Sequence, residues 1–321
     1  MKSIPSISSQ IDEKIIYEVI SDNFSRLAPY YYKWMSSWLI RAYESFGNID
    51  KYIILIYIIN KDFIFFRRNG LIIDYDTIYN DKSLEVDKIN ISDISKDLQI
   101  PKESVRRKVY ELEIKGVIKK RGKKFFVDRM AFSAVQATAT LKDMSILLYE
   151  FSKILKENNI VTVAYQTTEI SDSIKKNFSF VWYQFYKFLF IFTNRWRKEL
   201  GDLETFCIGI IALLSAADSK SFKVKDLNRK KYQTSIQGSD ERGVNAMSIS
   251  EITGIPRPTV VRKLKYLIKK NILHINEKKL ITLNITGDTL KKAQELQDKN
   301  MLSLSNFVSR VFNQIKVINT N

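Results

Sequence analysis

The chain contains one stretch twice. Ile94–Lys124 and Ile249–Lys279 align without a gap at an offset of 155 residues. Over the windows 91–128 and 246–283, 11 of 38 positions are identical, among them Ile94/Ile249, Ser95/Ser250, Ile100/Ile255, Pro101/Pro256, Val105/Val260, Arg107/Arg262 and Leu112/Leu267. Most other apolar positions exchange Val, Ile and Leu, which keeps a core face. Whatever this stretch folds into, the chain builds it twice.

The first copy reads as helix, turn, helix, hairpin. A short helix near Asp93–Leu98 ends at Gln99-Ile100. Pro101 is excluded from a helix interior but suits the first turn of the next helix. That helix, about Lys102–Lys115, sets Val105, Val109 and Leu112 on one apolar stripe. Lys102, Glu103, Ser104, Arg106, Arg107 and Lys108 are assigned to its outward face. Gly116 is placed to stop the helix. Val117-Ile118 and Phe125–Val127 then read as strands around a basic tip of Lys119, Lys120, Arg121, Gly122, Lys123 and Lys124. In the second copy the outward residues are Arg257, Thr259, Val261, Arg262 and Lys263, and Lys278 and Lys279 lie at the tip. A polar-faced helix beside a basic hairpin is what entering a nucleic-acid groove and gripping its phosphates requires.

The repeat extends upstream. Residues 22–59 fall on 176–213 at an offset of 154, with nine of 38 identical, including Asn23-Phe24-Ser25 on Asn177-Phe178-Ser179 and Gly47 on Gly201. One extra residue in the second connector accounts for the change of offset. The predicted fold is mainly α with small β-wings, in two tandem units, 1–163 and 164–321. Each unit is helix, helix, connector, helix-turn-helix with wing (about 91–128 and 246–283), terminal helix. Helical spacing predicts Ile11–Leu27, a break or kink at Pro29, Tyr30–Phe46, a buried helix Ile49–Ile59, and long helices within Arg129–Asn158 and Thr286–Lys316. Asn69–Asn90 reads as an acidic connector and 218–246 as a basic, loop-like one.

Charge follows the repeated stretch. The chain carries a net +17. Window 91–128 holds 11 Lys/Arg against 6 Asp/Glu, and window 246–283 holds 8 against 2, so +11 of the excess sits on these two segments. Clustered positive charge calls for a polyanionic partner. A single cysteine, Cys207, excludes an internal disulfide; it reads as a small core residue, with a redox-sensing thiol as the alternative. His274 has no companion ligands, and no metal site is expected. No Gly-rich phosphate loop or catalytic constellation is visible, so neither enzyme activity nor a cofactor is expected. The apolar runs Lys51–Phe66 and Phe178–Phe192 are short for a bilayer helix of about 20 residues and read as buried helices. A cytoplasmic, nucleoid-associated location is expected.

This order of elements, with Ile100-Pro101-x-x-Ser104-Val105-x-Arg107 and Ile255-Pro256-x-x-Thr259-Val260-x-Arg262, resembles the MarR family of winged helix-turn-helix regulators. The resemblance implies double-stranded DNA binding at near-palindromic sites, dimerisation through terminal helices, and control by a small-molecule effector. This chain departs from the family by fusing two units. The aromatic helices Tyr30–Phe46 and Phe178–Leu200 would pack as an internal pseudo-dimer interface, leaving either a monomer or a further homodimer. The differing outward residues predict an imperfect palindrome. A tandem winged-helix replication initiator and a protein-interaction module are the alternatives.

Overall fold

The computed structural model describes residues 10–80, 83–86, 88–122, 124–128, 137–217, 227–237, 243–284 and 287–319. Among these the chain is mainly helical, with two small antiparallel sheets. Helix α1 (Glu13–Asp22) starts at Asp12, whose carboxylate accepts the Lys14 N–H, and stops at Asn23, whose side-chain amide donates to the Val19 carbonyl. Helix α2 (Phe24–Phe46) follows at once and runs through Pro29. The break therefore falls at Asn23 rather than at Pro29. Pro29 is tolerated early in α2, where its missing N–H leaves only the Ser25 carbonyl without a helical donor. Gly47 ends α2 in the left-handed region, φ 64°. Helix α3 (Ile49–Arg68), capped by Asn48, continues beyond the expected Ile59 and carries the buried Asn60 inside it.

The first connector is not featureless. It holds helix α4 (Tyr75–Asn80) and strand β1 (Ser83–Val86). Then come α5 (Ile91–Leu98), α6 (Lys102–Ile114), β2 (Ile118–Arg121) and β3 (Lys124–Asp128). β3 lies between β1 and β2, antiparallel to both, with Val127 opposite Leu84 on one side and Ile118 on the other. Helix α7 (Ala137–Glu157) follows; residues 129–136, where its expected start fell, lie outside the described residues.

The rest of the chain runs α8 (Thr167–Lys176), α9 (Phe178–Leu200), α10 (Leu203–Ala217), α11 (Arg229–Gln237), α12 (Ala246–Thr253), α13 (Arg257–Lys269), β4 (Leu273–Ile275), β5 (Ile281–Leu283) and α14 (Gly287–Asn319). Asn177 separates α8 from α9 as Asn23 separates α1 from α2, and its side-chain amide donates to the Ser173 carbonyl. No helix among the described residues is long and apolar enough to cross a membrane.

The helices pack in reciprocal pairs. α2 lies along α7, and α9 along α14. α1 packs on α14, and α8 on α7. α9 packs against α3, and α2 against α10. α6 rests on α3, and α13 on α10. Trp34 of α2 stacks on Phe188 of α9, ring centroids 5.6 Å apart and nearly parallel, and on Phe307 of α14 at 5.7 Å. The two aromatic helices thus share one continuous core.

The connectors are reciprocal too. Ser25 at the start of α2 donates its N–H to the Leu227 carbonyl and accepts the Leu227 N–H at Oγ. Ser179 at the start of α9 makes the same two bonds with Ile73. Asp74 accepts the Thr77 N–H, and Asn228 the Lys231 N–H, each opening the next short helix. Tyr79 of α4 meets Phe178 edge-on, and Tyr232 of α11 meets Phe24. Each connector therefore clasps the aromatic helix of the other half of the chain.

Candidate nucleic-acid interface

The two helix-turn-helix segments are locked alike. Asn90 accepts the Ser92 N–H to cap α5, and Asn245 accepts the Ser248 N–H to cap α12. Both helices end on a left-handed residue, Gln99 at φ 54° and Gly254 at φ 69°. Glycine adopts that conformation freely, whereas Gln99 bears a steric cost. The Ser95 hydroxyl then donates to the Ile100 carbonyl at 2.7 Å, and Ser250 to Ile255 at 2.7 Å. Pro101 (φ −53°, ψ 135°) and Pro256 (φ −53°, ψ 134°) start α6 and α13 in one geometry. Val105 and Leu112 are buried beneath α6, as are Val260, Leu264 and Leu267 beneath α13.

This anchoring leaves Lys102, Glu103, Arg106 and Arg107 exposed on α6, with Ser104 half-buried. On α13 it exposes Arg257, Val261 and Arg262, with Thr259 half-buried. One guanidinium nitrogen of Arg106, Nη1, donates to both carboxylate oxygens of Glu103, at 2.7 and 2.8 Å. Arg107 lies 3.8 Å from Glu111, whose carboxyl is held below the usual range by a hydrogen bond from Lys51.

Lys108 and Lys263 do not belong to the outward face. Lys108 is buried, its ammonium 3.5 Å from Asp50 at the start of α3. Lys263 reaches both carboxylate oxygens of Asp202, at 2.6 and 2.7 Å, and the Thr205 hydroxyl at 3.1 Å. Both lysines root their helices in the scaffold, and neither is free for phosphate. Beside them lies a buried charge cluster. Arg197 of α9 donates to Asp50 at 2.6 Å and to the Leu98 carbonyl at 2.7 Å. Glu204 accepts the Ile49 N–H and the Asn48 amide, and burial, aided by Asp50, pushes its carboxyl above the usual range.

The first hairpin presents its cations unevenly. Lys119 pairs with Asp128 at 2.7 Å and Lys124 with Glu85 at 2.9 Å. Lys120 and Arg121 lie over Phe125 and Phe126 instead, remain exposed, and carry no ion pair among the described residues. Lys123 lies outside the described residues. The second hairpin is shorter, and Lys278 and Lys279 are exposed at its turn. In place of a third strand it has one bridge, Val244 to Ile281. There the backbone of Gly243 passes so close that an added Cβ would come within 2.5 Å of Leu280.

Sequence reasoning missed two cations. Lys265 and Lys269 are exposed and continue the outward stripe of α13 at the spacing of Val261 and Arg262. Their positions correspond to Tyr110 and Ile114 of α6, also exposed. A full turn-by-turn reading of the helix surface finds them. Cys207 is fully buried, and burial pushes its thiol well up, which favours a packing role over redox sensing. Among the described residues no group of three or more His, Cys, Asp or Glu gathers to hold a metal. No family model, curated protein or solved structure matches the chain.

Proposed function

We propose that the chain is a sequence-specific, double-stranded DNA-binding regulator of transcription. In this reading two winged-helix units of MarR-like layout, about 1–163 and 164–321, are fused so that one chain forms its own pseudo-dimer. The observation that carries it is the matched pair of exposed helix faces, α6 and α13. Each is started by the same Pro geometry, each has an arginine at the same register, Arg107 or Arg262, and each is rooted by a lysine in a reciprocal scaffold. Reciprocal packing of equivalent elements is how a two-fold assembly builds its interface. The cationic residues left over, Lys120, Arg121, Lys265, Lys269, Lys278 and Lys279, are exposed where phosphate contacts would be made.

Arginine pairs two-pronged with guanine O6 and N7, at about 1–3 kcal/mol of discrimination. Selection from random duplex DNA tests the reading. The wild-type chain enriches a bipartite site, Arg107→Ala relaxes one base of one half-site, and Arg262→Ala relaxes the matching base of the other. Absence of any enriched site defeats the proposal.

A further inference from the structure

A cavity of about 250 Å³ lies between α2, α9, α10, α13 and α14. Tyr31, Phe192, Trp196 and Phe206 give it aromatic walls, and Leu267 and Ile272 close it on the side of the second reader. Glu199, Lys270 and Lys292 stand exposed at its edge. The size is just below that of typical small-molecule pockets, roughly 300–1,000 Å³, and suits one or two fused rings. Two lysines against one glutamate make the edge tolerant of an anionic substituent.

One lining residue sets this cavity apart from the equivalent register of the first half. Gly209 lines it, and a Cβ added there meets only Leu267, at 3.9 Å. The counterpart in the first half is Leu55, which is fully buried. Trp38, Phe46 and Tyr52, the counterparts of Phe192, Leu200 and Phe206, are buried as well. Leu55 thus buries a side chain at the register where Gly209 has none.

The two readers also differ in how they are tied down. Arg197 donates to the Leu98 carbonyl, Asn194 to the Asp97 carbonyl at 2.7 Å, and Tyr57 to the Asp97 carboxylate at 2.5 Å. All three bonds hold the end of α5 and hence the turn into α6. The counterparts in the other half are Tyr43, Ile40 and Ile211, which offer neither guanidinium nor amide. Both readers are rooted by a lysine, but only the first has the turn before it clamped as well, and only the second borders this cavity.

We propose that this cavity binds one flat ring compound per chain, and that its occupancy resets α13 while α6 stays fixed. The proposal rests on the reading of α6 and α13 as the two readers, but its test uses no DNA. The full-length chain is titrated with 1-anilinonaphthalene-8-sulfonate, and hydrogen exchange is measured with and without it. One probe binds per chain, and exchange changes in residues 257–273 but not in 102–118. Gly209→Leu, which writes the first half's residue into the second, weakens binding at least tenfold and abolishes the exchange change. If Gly209→Leu fails to fold, Gly209→Ala carries the test at about threefold. Unchanged probe binding in the folded variant, or equal exchange changes in both readers, overturns the proposal. A chain that selects no DNA site refutes the functional reading alone.

Discussion

Lys108 shows what decides a residue's role here. It is cationic and sits on a helix with an exposed basic face, yet it lies three residues after Val105 and four before Leu112, within the buried stripe. A lysine stem can lie along apolar surface if its ammonium finds a partner. Asp50 is that partner, and it is 58 residues away in sequence, which is why the pairing was not legible there. Because Arg197 still pairs with Asp50, Lys108→Met is expected to lower stability by only about 1 kcal/mol, while leaving the salt dependence of DNA binding unchanged. Urea melts and salt titrations separate the two effects. Glu204 gives a second test. Asp50, Asp202, Tyr43 and Cys207 face its carboxyl, and burial raises its pKa on folding. A raised carboxylate contributes stability below its unfolded pKa and loses it as pH climbs through the folded one. Glu204→Gln keeps an acceptor for the Ile49 N–H, so it should melt higher than wild type at pH 8. That gain should shrink as pH falls toward 4. A gain that grows toward low pH contradicts the assignment.

The elements divide into those with a periodic signature and those without. The helices around the repeated stretch were legible because apolar stripes and the Pro101 and Pro256 starts are local. The connectors were not, because their order comes from pairing with a distant helix. Only the serines of Asn23-Phe24-Ser25 and Asn177-Phe178-Ser179 mark the docking points, and their partners, Leu227 and Ile73, share no distinctive chemistry. Ser25→Ala and Ser179→Ala each remove one acceptor of a connector N–H, and each should cost about 1 kcal/mol in a thermal or urea melt. No loss from either would mean that the clasp adds nothing to stability. The first hairpin was expected to supply sequence-independent grip through all five tip cations. The pairing of Lys119 and Lys124 narrows that to Lys120 and Arg121 among the described residues. Losing two phosphate contacts through Lys120→Ala and Arg121→Ala should flatten the log–log salt slope by roughly 1.8 for every DNA sequence alike. An unchanged slope removes this hairpin from the interface.

At the scale of the molecule, two copies of one pattern were legible, but the way they interlock was not. α1 covers α14, α8 covers α7, and Trp34 stacks across to Phe188 and Phe307, so the halves share a single core. The outward residues, however, are not matched. Arg106 corresponds to Val261, and Lys102-Glu103-Ser104 to Arg257-Pro258-Thr259. In the proposed function one chain supplies both readers for one bipartite, imperfectly symmetric site whose half-sites lie about one helical turn, roughly 34 Å, apart. Sedimentation of the complex with the selected duplex tests it most directly. One 37.5 kDa chain is expected on each bipartite site. Two chains per site, together with a perfectly palindromic selected sequence, would contradict it and point to a homodimer using one helix-turn-helix from each chain.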